Sequence, residues 1–297
     1  MRVARRAFTM LELVFVIVIM AILAKFGVEF MAKAYESFIF SKINNTLQAR
    51  SGAAVEFIAK RLEYRIKPSV IYRNTVTGSM NYLSDSGLTD ENATVLEWIA
   101  ADIDGFRGTT NPYWSGIIDL NASGATKLVS PATNTATADT LIQALSYANG
   151  ADFNDSAIYF PGSLTTVNPW GYQGAINDQN HTLHPIQSGA NSNEIVPLVS
   201  NFHNVEVYEF YQLAWTAYAV ELGDYNDTTH LGNLYFYYDY RPWQGETYDQ
   251  NGKKVLLAEN INNFRFRSAG SLVKIQVCAK SDLTNEEYAL CKEKTVY

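Results

Sequence analysis

From Phe8 to Ala24 the chain reads FTMLELVFVIVIMAILA, an apolar run interrupted by a single charge, Glu12. As a helix it rises about 25 Å, at the short end of what crosses a bilayer. Past Lys25 the run becomes a pattern. Phe30, Met31, Ala34, Phe38, Leu47, Ala54, Phe57, Ile58 and Leu62 recur at helical spacing, and Lys33, Glu36, Lys42, Glu56 and Lys60 fill the other face. Pro68 stops the pattern and biases Lys67 away from helix. The spacing predicts one helix from Phe8 to Ile66, roughly 90 Å long, with weak points at Gly27, Gly52 and the Asn44-Asn45 pair.

Residues 68–297 carry shorter patterns and form a separate head. Residues 121–138 are rich in Ala, Ser, Thr and Asn and read as a surface loop. A short helix is expected over Asp139–Tyr147 and a buried strand at Ala157–Phe160, followed by a long Gly/Asn/Gln-rich loop over 161–194. Period-two alternation then predicts strands at Val205–Tyr211, Ala214–Leu222, Asn233–Tyr240, Val255–Leu257, Asn262–Arg267 and Leu272–Cys278. Turn chemistry separates them at 223–227, 249–252 and Ala269-Gly270. One long helix followed by a mostly antiparallel sheet is an α+β arrangement.

Composition narrows the function classes. Of 297 residues 47% are apolar, and 19 Tyr, 15 Phe and 5 Trp supply ample core, so the chain is not disordered. Two cysteines exclude a disulfide-dense mini-fold and a Cys-based zinc cluster. The 23 basic residues are outnumbered by 30 acidic ones, a net charge of −7 without the basic excess of a nucleic-acid binder. There is no G-x-S-x-G elbow and no Walker A loop, so hydrolase and nucleotidase chemistry has no motif to start from and no enzyme activity is expected.

Residues 1–7 contain three arginines and no acid, which orients the apolar helix with its start in the cytoplasm and the head outside. A secretory signal peptide would end in a small-x-small cleavage site, and Ala21-Ile22-Leu23-Ala24 lacks one. A plain signal anchor carrying a periplasmic binding or enzymatic domain has no use for Glu12, an acid that is costly inside an apolar helix. The segment Ala7-Phe8-Thr9-Met10-Leu11-Glu12-Leu13 resembles the cleavage signature of type IV prepilins and type II secretion pseudopilins. Ala7 stands where that family usually has glycine.

The resemblance implies cleavage by prepilin peptidase between Ala7 and Phe8, N-methylation of Phe8, and an assembly role for Glu12. Glu12 would set register by pairing with the free Phe8 amine of a neighbouring subunit, since an unpaired buried charge is expensive. It also implies a 1–7 leader, a helix over 8–67 whose 8–24 segment spans the membrane, and a 68–297 head. Partners would be other pilin or pseudopilin subunits, the inner-membrane assembly platform and inner-membrane lipid, with no nucleic acid. The stretch Leu256–Arg267 resembles the late strand region of the larger minor pilins and minor pseudopilins, whose bulky heads suit a filament tip. A tip adhesin or DNA-uptake pilin is the alternative within the family; Trp170, Tyr172 and Trp243 are the aromatics a binding surface would draw on, although buried packing is the expectation for each.

Cys278 and Cys291, on the side of the membrane where disulfides persist, read as one disulfide closing a C-terminal loop, with two free thiols the alternative. Many pilins close such a loop. The remaining candidates are sparse. His181 and His184 are three apart, but Pro185 argues against the helix that would put them on one face. Asp224, Asn226 and Asp227 offer calcium-type oxygens in a predicted turn, as do Asp102 and Asp104 before Gly105, yet calcium takes six to eight oxygens and neither set is complete. A solvated turn with no metal or cofactor is the expectation at both.

Overall fold

The computed structural model describes residues 9–83, 93–146, 150–163, 165, 167–281 and 288–297. The chain opens with α1 (Met10–Glu63), unbroken through Gly27, Asn44, Asn45 and Gly52. Helix α1 stops three residues before the predicted Ile66, because a short 3₁₀ turn over Lys67–Ser69 is already forming around Pro68. Strands β1 (Ile71–Asn74), β2 (Met80–Tyr82) and β3 (Ala93–Ala100) follow, then α2 (Ile103–Arg107), β4 (Leu128–Val129) and α3 (Thr135–Ser146). After these come β5 (Ala157–Tyr159), β6 (Leu183–Ser188), β7 (Glu194–Pro197), β8 (Gln212–Ala214), β9 (Thr216–Asn226), β10 (Leu231–Tyr240), β11 (Lys253–Ala269), β12 (Leu272–Lys280) and β13 (Ala289–Val296).

The fold is α+β, with the long helix packed on antiparallel sheet. Where a single sheet was expected there are two. An eight-stranded sheet runs β13-β12-β11-β10-β9-β3-β1-β2, and a five-stranded sheet runs β4-β7-β6-β5-β8. The C-terminal half of α1 lies on one face of the larger sheet, burying Ile43, Leu47, Ala54, Val55, Ile58, Ala59 and Leu62 at three- and four-residue intervals. Opposite them sit Leu96 and Trp98 from β3, Leu234 and Phe236 from β10, and Val273, Ile275 and Val277 from β12.

Strand alternation sends Val95 and Ile99 to the opposite face of that sheet, against Tyr159, Trp170, Tyr172 and Trp243. A third core fills the space between the smaller sheet and α3, built on Trp114, Ile142, Phe153, Phe160 and Ile186.

Several sequence expectations need correction. Val205–Tyr211 is not a strand, and its one ladder contact is the isolated bridge between Ile117 and Phe210. Helix α3 begins at Thr135, inside the predicted 121–138 loop, because Asn134 Oδ1 accepts the Thr137 N–H and caps it. Of the predicted Asp139–Tyr147 helix, Tyr147 lies outside the described residues. The predicted 161–194 loop contains β6.

The turn predicted at 223–227 sits further on, at 227–230. Strand β9 continues to Asn226, and Asp224 absorbs a register shift at φ 51°, a conformation short polar side chains tolerate. The strands predicted at 255–257 and 262–267 are one strand, β11, which bends where Asn260 adopts φ 58°. Its first half pairs with β10 and its second with β12.

Candidate functional site

The start of α1 is fixed by a reciprocal cap. Thr9 is extended, and its hydroxyl accepts the Glu12 N–H at 3.4 Å. Glu12 Oε2 in turn accepts from the Thr9 N–H and the Thr9 hydroxyl, both at 3.0 Å. This is a capping box, which satisfies helix N–H groups that have no partner within the helix. The Thr9-x-x-Glu12 spacing spells it in the sequence, a signal passed over in favour of the acid's oddity in an apolar run. Ala7 and Phe8, the residues of the cleavage signature, lie outside the described residues.

Beyond the cap, every residue of α1 from Met10 to Phe38 is exposed among the described residues. Leu11 is 80% exposed and Phe15 65%, and Phe26, Phe30, Met31 and Phe38 are also open to the surroundings. The helix is long and apolar enough to cross a membrane. The apolar spacing read from the sequence therefore divides in two. Phe30, Met31 and Phe38 are bare, whereas Leu47, Ala54, Ile58 and Leu62 are in the core. Contiguous apolar surface on this scale marks contact with lipid or with other helices.

Cys278 and Cys291 form the one disulfide. They face each other directly across the β12–β13 ladder, so the bond ties the edge strand to its neighbour. Strand β13 also holds α1: Lys294 Nζ pairs with Glu56 at 2.6 Å, and just before β13 the Tyr288 hydroxyl donates to Asn44 at 3.3 Å.

The calcium candidates are engaged in the hairpin itself. Asp224 accepts from the Tyr235 hydroxyl and from Asn233, and Asn226 Oδ1 accepts the N–H groups of Thr228 and Thr229. The Tyr235 hydroxyl is the main cause holding the Asp224 carboxyl below the usual range. No hydrogen bond joins Asp227 to this set. Among the described residues, no three or more His, Cys, Asp or Glu side chains gather where a metal could sit. His181 lies near Asp178 at 3.5 Å, while His184 is buried between Phe160 and Phe202 and bonds to Gln179. Burial, with a smaller contribution from His181, lowers the His184 imidazole to about 4. Trp170, Tyr172 and Trp243 are all buried and offer no surface.

Three buried acids organise the head: Glu97 and Asp239 were not anticipated as sites, and Asp102, expected in a solvated turn, is instead buried as the cap of α2. Glu97, fully enclosed, accepts from Arg73 Nε at 2.6 Å and from the Tyr240 hydroxyl at 3.0 Å. Asp239 accepts from Ser146 Oγ at 2.8 Å, Arg241 at 3.2 Å and Lys253 at 2.6 Å. Asp102 caps α2 through the Gly105 N–H and accepts from Trp114 Nε1, both at 3.0 Å. Burial pushes its carboxyl up to about 6 in spite of those bonds. Single polar residues in apolar surroundings carry no periodic signal, so such long-range pairings are invisible to pattern reading.

No protein-family model, curated protein or solved structure matches this chain.

Proposed function

We propose that this chain is a structural subunit of a type IV pilus or type II secretion filament, a minor pilin or minor pseudopilin held in the inner membrane by one pass with its head in the periplasm. The carrying observation is the division of α1. Its first half presents bare apolar surface headed by Glu12, while its second half is core of a large head. In this reading prepilin peptidase cuts between Ala7 and Phe8 and the Phe8 amine is methylated. The bare half then leaves lipid for contact with other subunits, and Glu12 pairs with a neighbour's Phe8 amine. The size of the head suits a tip or near-tip position.

Intact-mass spectrometry of the chain purified from membranes tests the reading. Loss of residues 1–7 with a gain of one methyl group is the expected result. Retention of residues 1–7, or cleavage after Ala24, would leave a signal-anchored or secreted head and overturn the filament role.

A further inference from the structure

At the C-terminal end of α1 a cavity of about 790 Å³ opens between the helix end, the α2 loop and the edge of the smaller sheet. That volume is within the range of small-molecule sites. Rings form much of its wall: Phe106 and Trp114 have centroids 4.9 Å apart, Trp114 and Tyr211 are 5.5 Å apart, and Tyr64 and Tyr159 also line it. Phe210, 60% exposed, and Phe106, 41% exposed, stand at the mouth.

The polar groups of the lining define the chemistry. The Gln212 amide, the Glu63 carboxylate and the Lys67 ammonium make no hydrogen bond or ion pair among the described residues, and the Tyr159 hydroxyl accepts only a long 3.4 Å contact from Gly162. They supply both donors and acceptors. A wholly apolar ligand would strip water from these groups and return nothing. Charge gives no preference for an ion, because Glu63 and Asp102 are balanced by Arg65 and Lys67. The complementary ligand is neutral, with C–H faces for the rings and an edge of hydroxyl groups that both donate and accept.

We propose that this cavity is a binding site for an uncharged saccharide. A sugar ring stacks its C–H face on the aromatic wall and bonds its hydroxyls to Gln212, Glu63, Lys67 and Tyr159. At 1.5 Å per residue Glu63 lies about 30 Å along α1 from Ile43 and about 80 Å from Met10, so the site is at the opposite end of the helix from the bare apolar half. A chain anchored by that half would hold the cavity away from the bilayer. The binding chemistry itself does not depend on filament assembly.

The test uses the full chain in lipid nanodiscs, titrated with maltotriose, cellotriose, mannotriose and triacetylchitotriose while tryptophan fluorescence and saturation-transfer NMR are followed. Phenethylamine and octanoate serve as charged apolar probes. At least one trisaccharide is expected to bind, with Phe210→Ala and Gln212→Ala each weakening it by about tenfold or more while the thermal melt stays unchanged. Both side chains can be removed without opening a core. Three results would overturn the assignment: no trisaccharide binding at millimolar concentration, binding indifferent to both substitutions, or occupancy by phenethylamine or octanoate alone. Because binding is read on unassembled chains in nanodiscs, failure here is distinguishable from failure to assemble.

Discussion

The Glu12 carboxylate closes a ring with Thr9, accepting both its backbone N–H and its hydroxyl at 3.0 Å. An acid proposed to reach a neighbour's amine is thus already held by its own helix start. The two roles separate by substitution, since glutamine at this position still completes a capping box but carries no charge. Glu12→Gln and Glu12→Ala should both remain in the membrane fraction and both drop out of sheared filaments. If Glu12→Gln assembles like the parent, the cap and not the charge is what assembly needs.

The two halves of α1 should respond differently to truncation. Ile58 is fully buried against the large sheet, so Ile58→Ala should cost about 2–5 kcal/mol in denaturant unfolding of the head. Phe15→Ala, at a bare position, should leave that unfolding unchanged. Equal losses at the two positions would contradict the division of the helix.

Replacing Cys278 and Cys291 by serine should lower stability by about 3 kcal/mol, the value expected for a loop of this size. The loss should fall first on β13. Hydrogen exchange is expected to speed up over Ala289–Val296 well before it does in β10.

Asp239 pairs with both Arg241 and Lys253, and Arg241 pairs with Glu246 as well. Asp239→Ala strips a buried guanidinium of one of its two carboxylates, leaving it Glu246, takes the acid from Lys253, and should cost about 3–5 kcal/mol by urea denaturation. A loss under 1 kcal/mol would show that the surroundings relax to solvate Arg241.

Asp102 and His184 give opposite pH slopes. The Asp102 carboxyl, raised to about 6 from 3.8, is favoured in its neutral folded form, so its contribution is full below about pH 4 and disappears as pH rises through 6. The His184 imidazole, lowered to about 4 from 6.5, contributes fully above about 6.5 and is lost as pH falls towards 4. Each is of order 3 kcal/mol, and the two oppose each other between about pH 4 and 6.5. Asp102→Asn should unmask the histidine slope, with the urea midpoint falling steadily from pH 6.5 to pH 4. An unchanged profile when His184→Gln is added to that variant would remove His184 as a source of pH dependence.

The elements written in long periodic stretches were legible. Helix α1, the β10 run of tyrosines and β12 all follow hydrophobic spacing that a single chain displays without knowledge of its neighbours. Of the smaller sheet, β5 was legible as the buried strand expected at Ala157–Phe160; the rest was not, because β4, β7 and β8 have at most four residues and Pro185 interrupts the pattern of β6. Strand β13 escaped notice because it reads ALCKEKTV, with charges where an edge strand carries them. Val205–Tyr211 misled in the other direction, alternating like a strand while finding only a bridge partner. Of the candidate sites, the cysteine pair was readable from its number and spacing near the C-terminus. The distal cavity was not, since its walls come from five segments between Glu63 and Gln212 that only tertiary packing brings together.

The unbroken course of α1 has a mechanical consequence. A pull on its bare end has no hinge in which to dissipate, so the load travels along the helix and arrives as shear across the ion pair of Lys294 with Glu56 and the ladder of β12 with β13. There the Cys278–Cys291 bond acts as a rivet, passing force from the edge strand gripping the rod into β12 beside it.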